Sequence, residues 1–279
     1  MEAISDRNYD FIRQLLYEHS RINLGDAKKV LVSSRLAKRV RALGLGDFSE
    51  YCDLLKSADG GEELANLVDV MSTNHTHFFR EPKHFDFLSS TVIPALLPEL
   101  KRGREPLRVW SAACSSGEEP YSLAILLSEL LASHGLEWRI DASDISRPVL
   151  AKAEQGVYPD DRLEQVRPDW LRRYFQKGVG NWKGHARVKQ ELRDRLRFHN
   201  LNLLQPGYPF TEKFHVIFCR NVMIYFDRPT QETLVSKLAG QLLPGGYLMV
   251  GHSESLSGIR HTLQSASPAI YRQAPADSY

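Results

Sequence analysis

Leu107-Arg-Val-Trp-Ser-Ala-Ala-Cys-Ser-Ser-Gly-Glu-Glu-Pro120 is the stretch on which the fold turns. It opens with a short strand candidate, Leu107 to Trp110, and runs into six small residues, Ala112 to Gly117. Glu118-Glu119-Pro120 then begins a helix that continues as the strongly apolar run Tyr121 to Leu131. A strand, a loop that a ligand can approach closely and a buried helix together predict the first unit of a doubly wound α/β sheet.

Downstream the alternation repeats. Strands are predicted at Trp138–Ala142, Leu196–Phe198, Phe214–Cys219 and Tyr247–Val250, with an edge strand at Ile270-Tyr271. Helices fall at Pro148–Glu154 and Thr230–Leu242, and Pro244-Gly-Gly246 marks a turn. Strands separated by helices imply parallel pairing with right-handed crossovers. Gly156 to Arg195 breaks the rhythm with about forty residues where a short connection suffices. Turn chemistry at Gly178-Val-Gly180, Asn181 and Gly184, and the extended run Arg187–Gln190, predict a small antiparallel β insertion over 156–195. Upstream there is no strand signal. Tyr9, Ile12, Leu15 and Leu16 recur at helical spacing, as do Val32, Leu36, Val40 and Leu43, with a loop expected over 56–61. The expected organisation is a helical domain over 1–70, a linker over 71–105 and the α/β domain over 106–279.

Composition narrows the class. The 279 residues are 42% hydrophobic and 25% charged, with a net charge of +2, so the chain as a whole is no polyanion binder. Cys52, Cys114 and Cys219 form no CxxC pair and suggest neither a disulfide framework nor a zinc site. The N-terminal residues do not read as a signal peptide, and no apolar run approaches the roughly 20 residues of a membrane span. A cytoplasmic location follows as the expectation.

In such a sheet, ligands bind beyond the carboxyl ends of the strands. The 112–117 loop lacks GxGxxG and a Walker lysine, which argues against a dinucleotide or an NTP. The acidic helix start disfavours a pyrophosphate and suits a cationic ligand, although Glu118 and Glu119 also complement a helix dipole. Asp144 ends the second strand, where it could grip ribose hydroxyls or cap the next helix. Arg220 and Asn221 follow the fourth strand and should face the site, with Tyr225 returning towards it or packing under a loop. His75 and His77 lie in the polar and aromatic run Ser72–Glu81 and read as structural, not as metal ligands.

Thr73-Asn-His-Thr-His-Phe-Phe-Arg-Glu81 and Arg108–Ser122, with Ala142-Ser-Asp-Ile145, Asn202-Leu-Leu204, Ile217–Asp227 and Gly251-His-Ser-Glu254, resemble the CheR family of chemotaxis receptor methyltransferases. The match runs in order from about Met71 to Tyr271. It implies a Rossmann-like S-adenosylmethionine methyltransferase domain that esterifies glutamate side chains on bacterial chemoreceptors and releases S-adenosylhomocysteine. Asn74, Thr76 and Arg80 would contact the cofactor from the linker side, and Glu118 would lie against it. Asp144 would hold the ribose, and Asn202 and Leu203 would line the adenine end. Arg220 and Asn221 would flank the methionine portion. Tyr225, with Arg80, would orient the substrate carboxylate near the transferred methyl. Cys114 departs from the expected loop and reads as a small filler.

Residues 28–41 carry Lys28, Lys29, Arg35, Lys38, Arg39 and Arg41 and no acidic residue. Lys28, Arg35, Lys38 and Arg39 are expected to form a basic face opposite Val32, Leu36, Val40 and Leu43, either a solvated surface or, as the resemblance implies, a dock for the acidic methylation helices of receptors. The resemblance further implies that the β insertion, through its Gly178–Gly180 turn, tethers a receptor C-terminal pentapeptide by strand addition. A monomer without nucleic-acid partner or membrane insertion is expected. The competing readings are a non-catalytic receptor-binding module, a methyltransferase for nucleic acids or small molecules, and a nicotinamide dehydrogenase. No Asn/Asp-Pro-Pro-aromatic motif supports base methylation, and the missing glycine fingerprint disfavours the dehydrogenase.

Overall fold

The computed structural model describes residues 3–57, 60–72, 74–103 and 105–275. The chain divides into two compact units, Met1–Thr73 with Tyr225–Thr230, and Asn74–Ile224 with Gln231–Tyr279.

The first unit is helical. Helices α1 (Asp6–Ser20), α2 (Lys29–Ala42), α3 (Phe48–Lys56) and α4 (Gly60–Met71) carry it. Their starts follow local chemistry. Ser5 caps α1 by accepting the Asn8 N–H, and Asp47 caps α3 by accepting those of Ser49 and Glu50. Tyr9, Ile12 and Leu16 of α1, Val32, Leu36 and Val40 of α2, Tyr51 and Leu55 of α3 and Leu67 of α4 are all buried. Each such aliphatic side chain contributes about 1.5–3 kcal/mol relative to exposure. Leu43, predicted on the apolar face, caps the end of α2 and is 36% exposed. Of the loop expected over 56–61, residues 58 and 59 lie outside the described residues.

The second unit begins with α5 (Pro82–Phe87) and α6 (Ile93–Gly103), joined by a π turn over Leu88–Val92. This segment is more than a linker: Phe85, Leu88, Val92, Ile93, Leu96 and Leu100 all join the main hydrophobic core. The elements then follow as β1 (Leu107–Ala112), α7 (Glu118–Leu131), β2 (Trp138–Asp144), α8 (Arg147–Gln155), β3 (Val157–Pro159), α9 (Pro168–Tyr174), β4 (Phe175–Lys177), β5 (His185–Val188), α10 (Gln190–Arg193), β6 (Leu196–Asn200), β7 (Phe214–Cys219), α11 (Arg228–Gly240), β8 (Leu242–Val250), β9 (Gln264–Ser267) and β10 (Ile270–Arg272).

Seven strands form one sheet in the order β6-β2-β1-β7-β8-β10-β9. β6, β2, β1, β7 and β8 run parallel, while β10 pairs antiparallel with β8 and with β9. The order reverses between β1 and β7, which puts the crevice of a doubly wound sheet at their carboxyl ends. β7 is buried at every position, His215 included, as expected of a strand covered on both faces. Pro244-Gly-Gly246 is a bulge within β8 rather than a turn before it, and the register against β7 slips there between Phe214 and Val216. The insertion is a separate three-stranded antiparallel sheet, β3-β5-β4, with β5 central.

Candidate cofactor site

The loop between β1 and α7 is bent by three residues of positive φ, Ala113 at 85°, Ser115 at 49° and Gly117 at 96°. Only glycine fits the last, because a Cβ there would lie 2.7 Å from the Tyr158 hydroxyl and 2.9 Å from the Ala153 methyl. Ala113 and Cys114 donate their N–H groups to the Ser143 carbonyl at 2.8 and 2.9 Å, folding the loop over the end of β2. Burial pushes the Cys114 thiol well above its ordinary pKa, as suits a filler and not a nucleophile.

Asp144 at the tip of β2 is 8% exposed and receives the Ser115 N–H at 2.8 Å and the Ser146 N–H at 3.0 Å. The cap of α8 is Ser146, whose side chain accepts the Val149 N–H, so the capping alternative for Asp144 falls away. Asn202 and Leu203 follow β6. They are joined to the same strand tip through the Leu201 N–H, which donates to the Asp144 carbonyl at 3.0 Å. The Asn202 side chain accepts the Leu204 N–H, and Leu203 is buried.

Glu118 opens α7 and is 2% exposed, held by the Ser116 hydroxyl at 2.7 Å and facing Arg162 at 3.7 Å. Burial raises its carboxyl above the ordinary range. A cationic ligand would favour its ionised form. The segment after Thr73, itself outside the described residues, is fastened to this loop. The Asn74 carbonyl accepts from Ser115, that of buried Thr76 accepts from Arg162, and Arg80 donates to the His75 carbonyl.

Beyond β7, Arg220 forms a buried cluster with its side chain 2% exposed. Its guanidinium bonds Glu81 at 3.0 Å, Glu119 at 2.9 Å and the Arg80 carbonyl, while Ser111 donates to Glu119 at 2.7 Å. Burial works to raise the Glu81 carboxyl, but Arg220 and Asn221 outweigh it and hold it below the ordinary range. Asn221 has φ 58° and donates its side-chain amide to Glu81. The fold thus gathers Asn74, Thr76, Arg80, Glu118, Asp144, Asn202, Leu203, Arg220 and Asn221 at the carboxyl ends of β1, β2, β6 and β7. Tyr225 is not grouped with them. It belongs to the 225–230 stretch of the helical unit, where its carbonyl accepts the Asn23 N–H at 2.8 Å and Lys28 Nζ lies 5.9 Å from its ring.

Glu81, Arg162 and Glu254 were not singled out from sequence, and Glu119 was named only as part of the acidic helix start. Glu81 and Glu254 stand inside quoted motifs, whereas Arg162 comes from the insertion with no signal of its own. Among the described residues, the potential metal ligands that converge are Glu81, His84 and His252, not His75 and His77. His84 is fully buried with neither ring nitrogen bonded, and burial, then Arg220, pushes its pKa down to about 4. The Glu81 carboxylate that a cation would need is already engaged by the Arg220 guanidinium.

The expected basic face of α2 divides. Arg39 lies seven positions after Val32, about two turns on, and therefore falls on the apolar stripe and not opposite it. It donates to both oxygens of Glu63, at 3.0 and 2.6 Å, and Tyr51 adds a third bond at 2.8 Å. Burial raises Glu63, yet these bonds hold its carboxyl below the ordinary range. Arg35 donates to the Met71 carbonyl at 2.7 Å. Lys38 and Arg41 are exposed, Lys28 half-buried. Beside them Val30 and Leu31 are 80% and 45% exposed.

In the insertion, a Cβ on Gly178 would lie 2.1 Å from the Trp182 carbonyl oxygen, whereas Gly180 has open space and is required by its φ of 58°. Val179 and Trp182 present exposed apolar surface beside the edge strand β4.

The family profile described as "CheR methyltransferase, SAM binding domain" matches residues 74–271, and "CheR methyltransferase, all-alpha domain" matches residues 7–72. A chemotaxis protein methyltransferase of Salmonella typhimurium is 40% identical over 96% of this chain and 91% of its own. One from Borreliella burgdorferi is 40% identical over 93% and 92%. Chemotaxis protein methyltransferase 2 of Pseudomonas aeruginosa is 43% identical over 96% and 93%.

Proposed function

This chain belongs to the CheR methyltransferase family, and on that premise we infer that it esterifies glutamate side chains of chemoreceptors with the methyl group of S-adenosylmethionine. It is an S-adenosylmethionine-dependent methyltransferase of chemotaxis; glutamate as the acceptor, receptors as the substrate and the cytoplasm as the place of action are our proposal. The observation that carries the reading is the tie between Asp144 and the small-residue loop, whose Ser115 N–H it receives at 2.8 Å. That tie presents an acidic strand tip and a closely approachable backbone at one point, which suits an adenosine ligand.

When bound, the cofactor would supply a sulfonium-activated methyl for a carboxylate oxygen of the acceptor. The protein's part is alignment and exclusion of water, which together supply several kcal/mol of barrier reduction. A glutamate is ionised at neutral pH, its reference pKa being about 4.3, so no strong general base is needed. We assign Asp144 to the ribose hydroxyls, Asn202 and Leu203 to the adenine end, and Glu118 to the cationic methionyl end with Asn74 and Thr76 beside it. Asn221 flanks the methionine portion, and Arg220 supports it from within its ion pairs. Tyr225 and Arg80 orient the acceptor carboxylate. For docking, Lys38 with Lys28, beside exposed Val30 and Leu31, suits an amphipathic acidic helix; Arg35 and Arg39 serve the helical unit itself. The Gly178–Gly180 turn and the free edge of β4 suit strand addition by a receptor C-terminal peptide.

Calorimetric titration with S-adenosylmethionine and S-adenosylhomocysteine, repeated on Asp144→Ala, tests the site. Binding that the substitution abolishes supports the assignment. Transfer of labelled methyl to receptor glutamates, lost on Tyr225→Phe, tests the chemistry. Binding without transfer would leave a receptor-binding module that kept the fold.

A further inference from the structure

We propose that Glu254 is a positioning residue of the transfer site, fixing Asn221 and the loop after β7 in the conformation that cofactor contact requires; this rests on the assignment of Asn221 given above. Glu254 ends the Gly251-His-Ser-Glu254 run that follows β8, and nothing in the reaction as described uses it. It is 5% exposed. Its Oε2 accepts the N–H groups of Asn221 and Gly251, both at 2.7 Å, and its Oε1 accepts that of Ile224 at 3.3 Å. Its own N–H donates to the Gly251 carbonyl at 2.8 Å, a tight turn that aims the side chain back at the loop.

A buried carboxylate is costly to desolvate, and an apolar side chain would fill the same space without that cost. Burial accordingly raises its pKa, while the amide bonds oppose the rise. What a carboxylate does here, and a leucine could not, is collect N–H groups from a loop bent through the left-handed region at Asn221, φ 58°. Asn221 is thereby gripped twice, its backbone by Glu254 and its side-chain amide by Glu81. The turn packs directly on it: a Cβ on Gly251 would lie 2.5 Å from Asn221 Nδ2 and 2.7 Å from Glu254 Oε2.

The test is a double-mutant cycle read by calorimetric binding of S-adenosylhomocysteine to the full chain. Glu254→Gln turns an amino group towards the loop amides and is expected to weaken binding about tenfold, the scale of one charge-assisted hydrogen bond. Asn221→Ala should weaken it comparably, and the double variant should be no weaker than the worse single by more than about threefold. Paired with Leu203→Ala, by contrast, the effect of Glu254→Gln should be additive, because Leu203 follows β6, which β2 and β1 separate from β7. A general loss of packing would not single out Asn221 in this way. If Glu254→Gln is too unstable to isolate, Glu254→Asp, which keeps the charge on a shorter arm, carries the same cycle. Binding of Glu254→Gln within about twofold of the unaltered protein, or a double variant weakened by the full product, would overturn the proposal. So would a harmless Asn221→Ala alongside a damaging Asp144→Ala, which leaves the cofactor assignment standing. Failure of the unaltered protein to bind the product would end both.

Discussion

Each unit of the molecule holds a partly or fully buried arginine, one on a single carboxylate and the other on two, and the two clusters do different work. In the helical unit, Arg39 of α2 meets Glu63 of α4 with Tyr51 of α3, and its side chain remains 29% exposed. All three residues sit inside regular helices, so the cluster fastens one helix to another. In the sheet unit, the Arg220 side chain is 2% exposed and binds two carboxylates and a backbone carbonyl. Here Glu119 opens α7, but Glu81 and the Arg80 carbonyl belong to irregular backbone, and Glu81, like neighbouring Asn221, has φ 58°. The first cluster supports packing that helices would largely make anyway. The second holds loops that have no ladder of their own. The same ion chemistry fastens helices in one place and braces loops in the other.

The largest expected effect is on the second cluster. Arg220→Met would leave Glu81 and Glu119 without their counter-charge in a nearly closed site, a loss of about 3–5 kcal/mol by urea unfolding. Binding of S-adenosylhomocysteine should disappear with it, since Arg80 and Asn221 lose their common support. Arg39→Met should cost less, about 1–3 kcal/mol, because Glu63 keeps bonds from Tyr51 and Asn66. Product affinity should stay unchanged. Loss of binding in Arg39→Met at a temperature where the variant is folded would break the comparison.

Acid tests the first cluster on a finer scale. Glu63 titrates below its ordinary 4.5 in the folded chain. Its contribution to stability is therefore present above that value and is lost as pH falls through the folded pKa. Urea midpoints measured from neutral pH down to about 3 should decline below about 4.5, and Glu63→Gln should flatten part of that decline. An unaltered acid profile in Glu63→Gln would mean that the Arg39 pair adds nothing to stability.

How far sequence reading reaches follows the same division. The parallel strands were legible because β1 and β7 are covered on both faces and are mostly apolar, Arg108, Ser111 and His215 being the polar exceptions. β9, Gln264-Ser-Ala-Ser267, was not, because its edge position leaves it exposed and polar. The packed helices α5 and α6 were expected only as a linker over 71–105, and α6 accommodates Pro94 and Pro98, poor residues for a helix interior. For the site, the strand tips gave Asp144, Arg220 and Asn221 directly, since a sheet's topology fixes where its ligand crevice opens. Their partners were out of reach: Glu254 stands 33 residues from Asn221 and Arg162 stands 86 from Thr76. Hydrogen bonds over such separations leave no period in the sequence. The basic helix failed for a related reason, since charge type alone could not tell Arg39, drawn inward by Glu63, from Lys38 beside it.

That neighbouring pair supplies the smallest effect and the sharpest contrast. Lys38 is exposed, and no hydrogen bond or ion pair among the described residues uses it, so Lys38→Ala should change stability by no more than about 0.5 kcal/mol. If the outer face of α2 docks an acidic receptor helix, the same substitution should lower receptor methylation a few-fold at low ionic strength. The deficit should shrink as salt rises, because screening removes the attraction from the unaltered protein as well. Arg39→Met at a permissive temperature should show the reverse, reduced stability with little salt-dependent change in methylation. Equal salt profiles for the two variants would show that α2 contributes structure alone, and docking would then have to be sought on another surface.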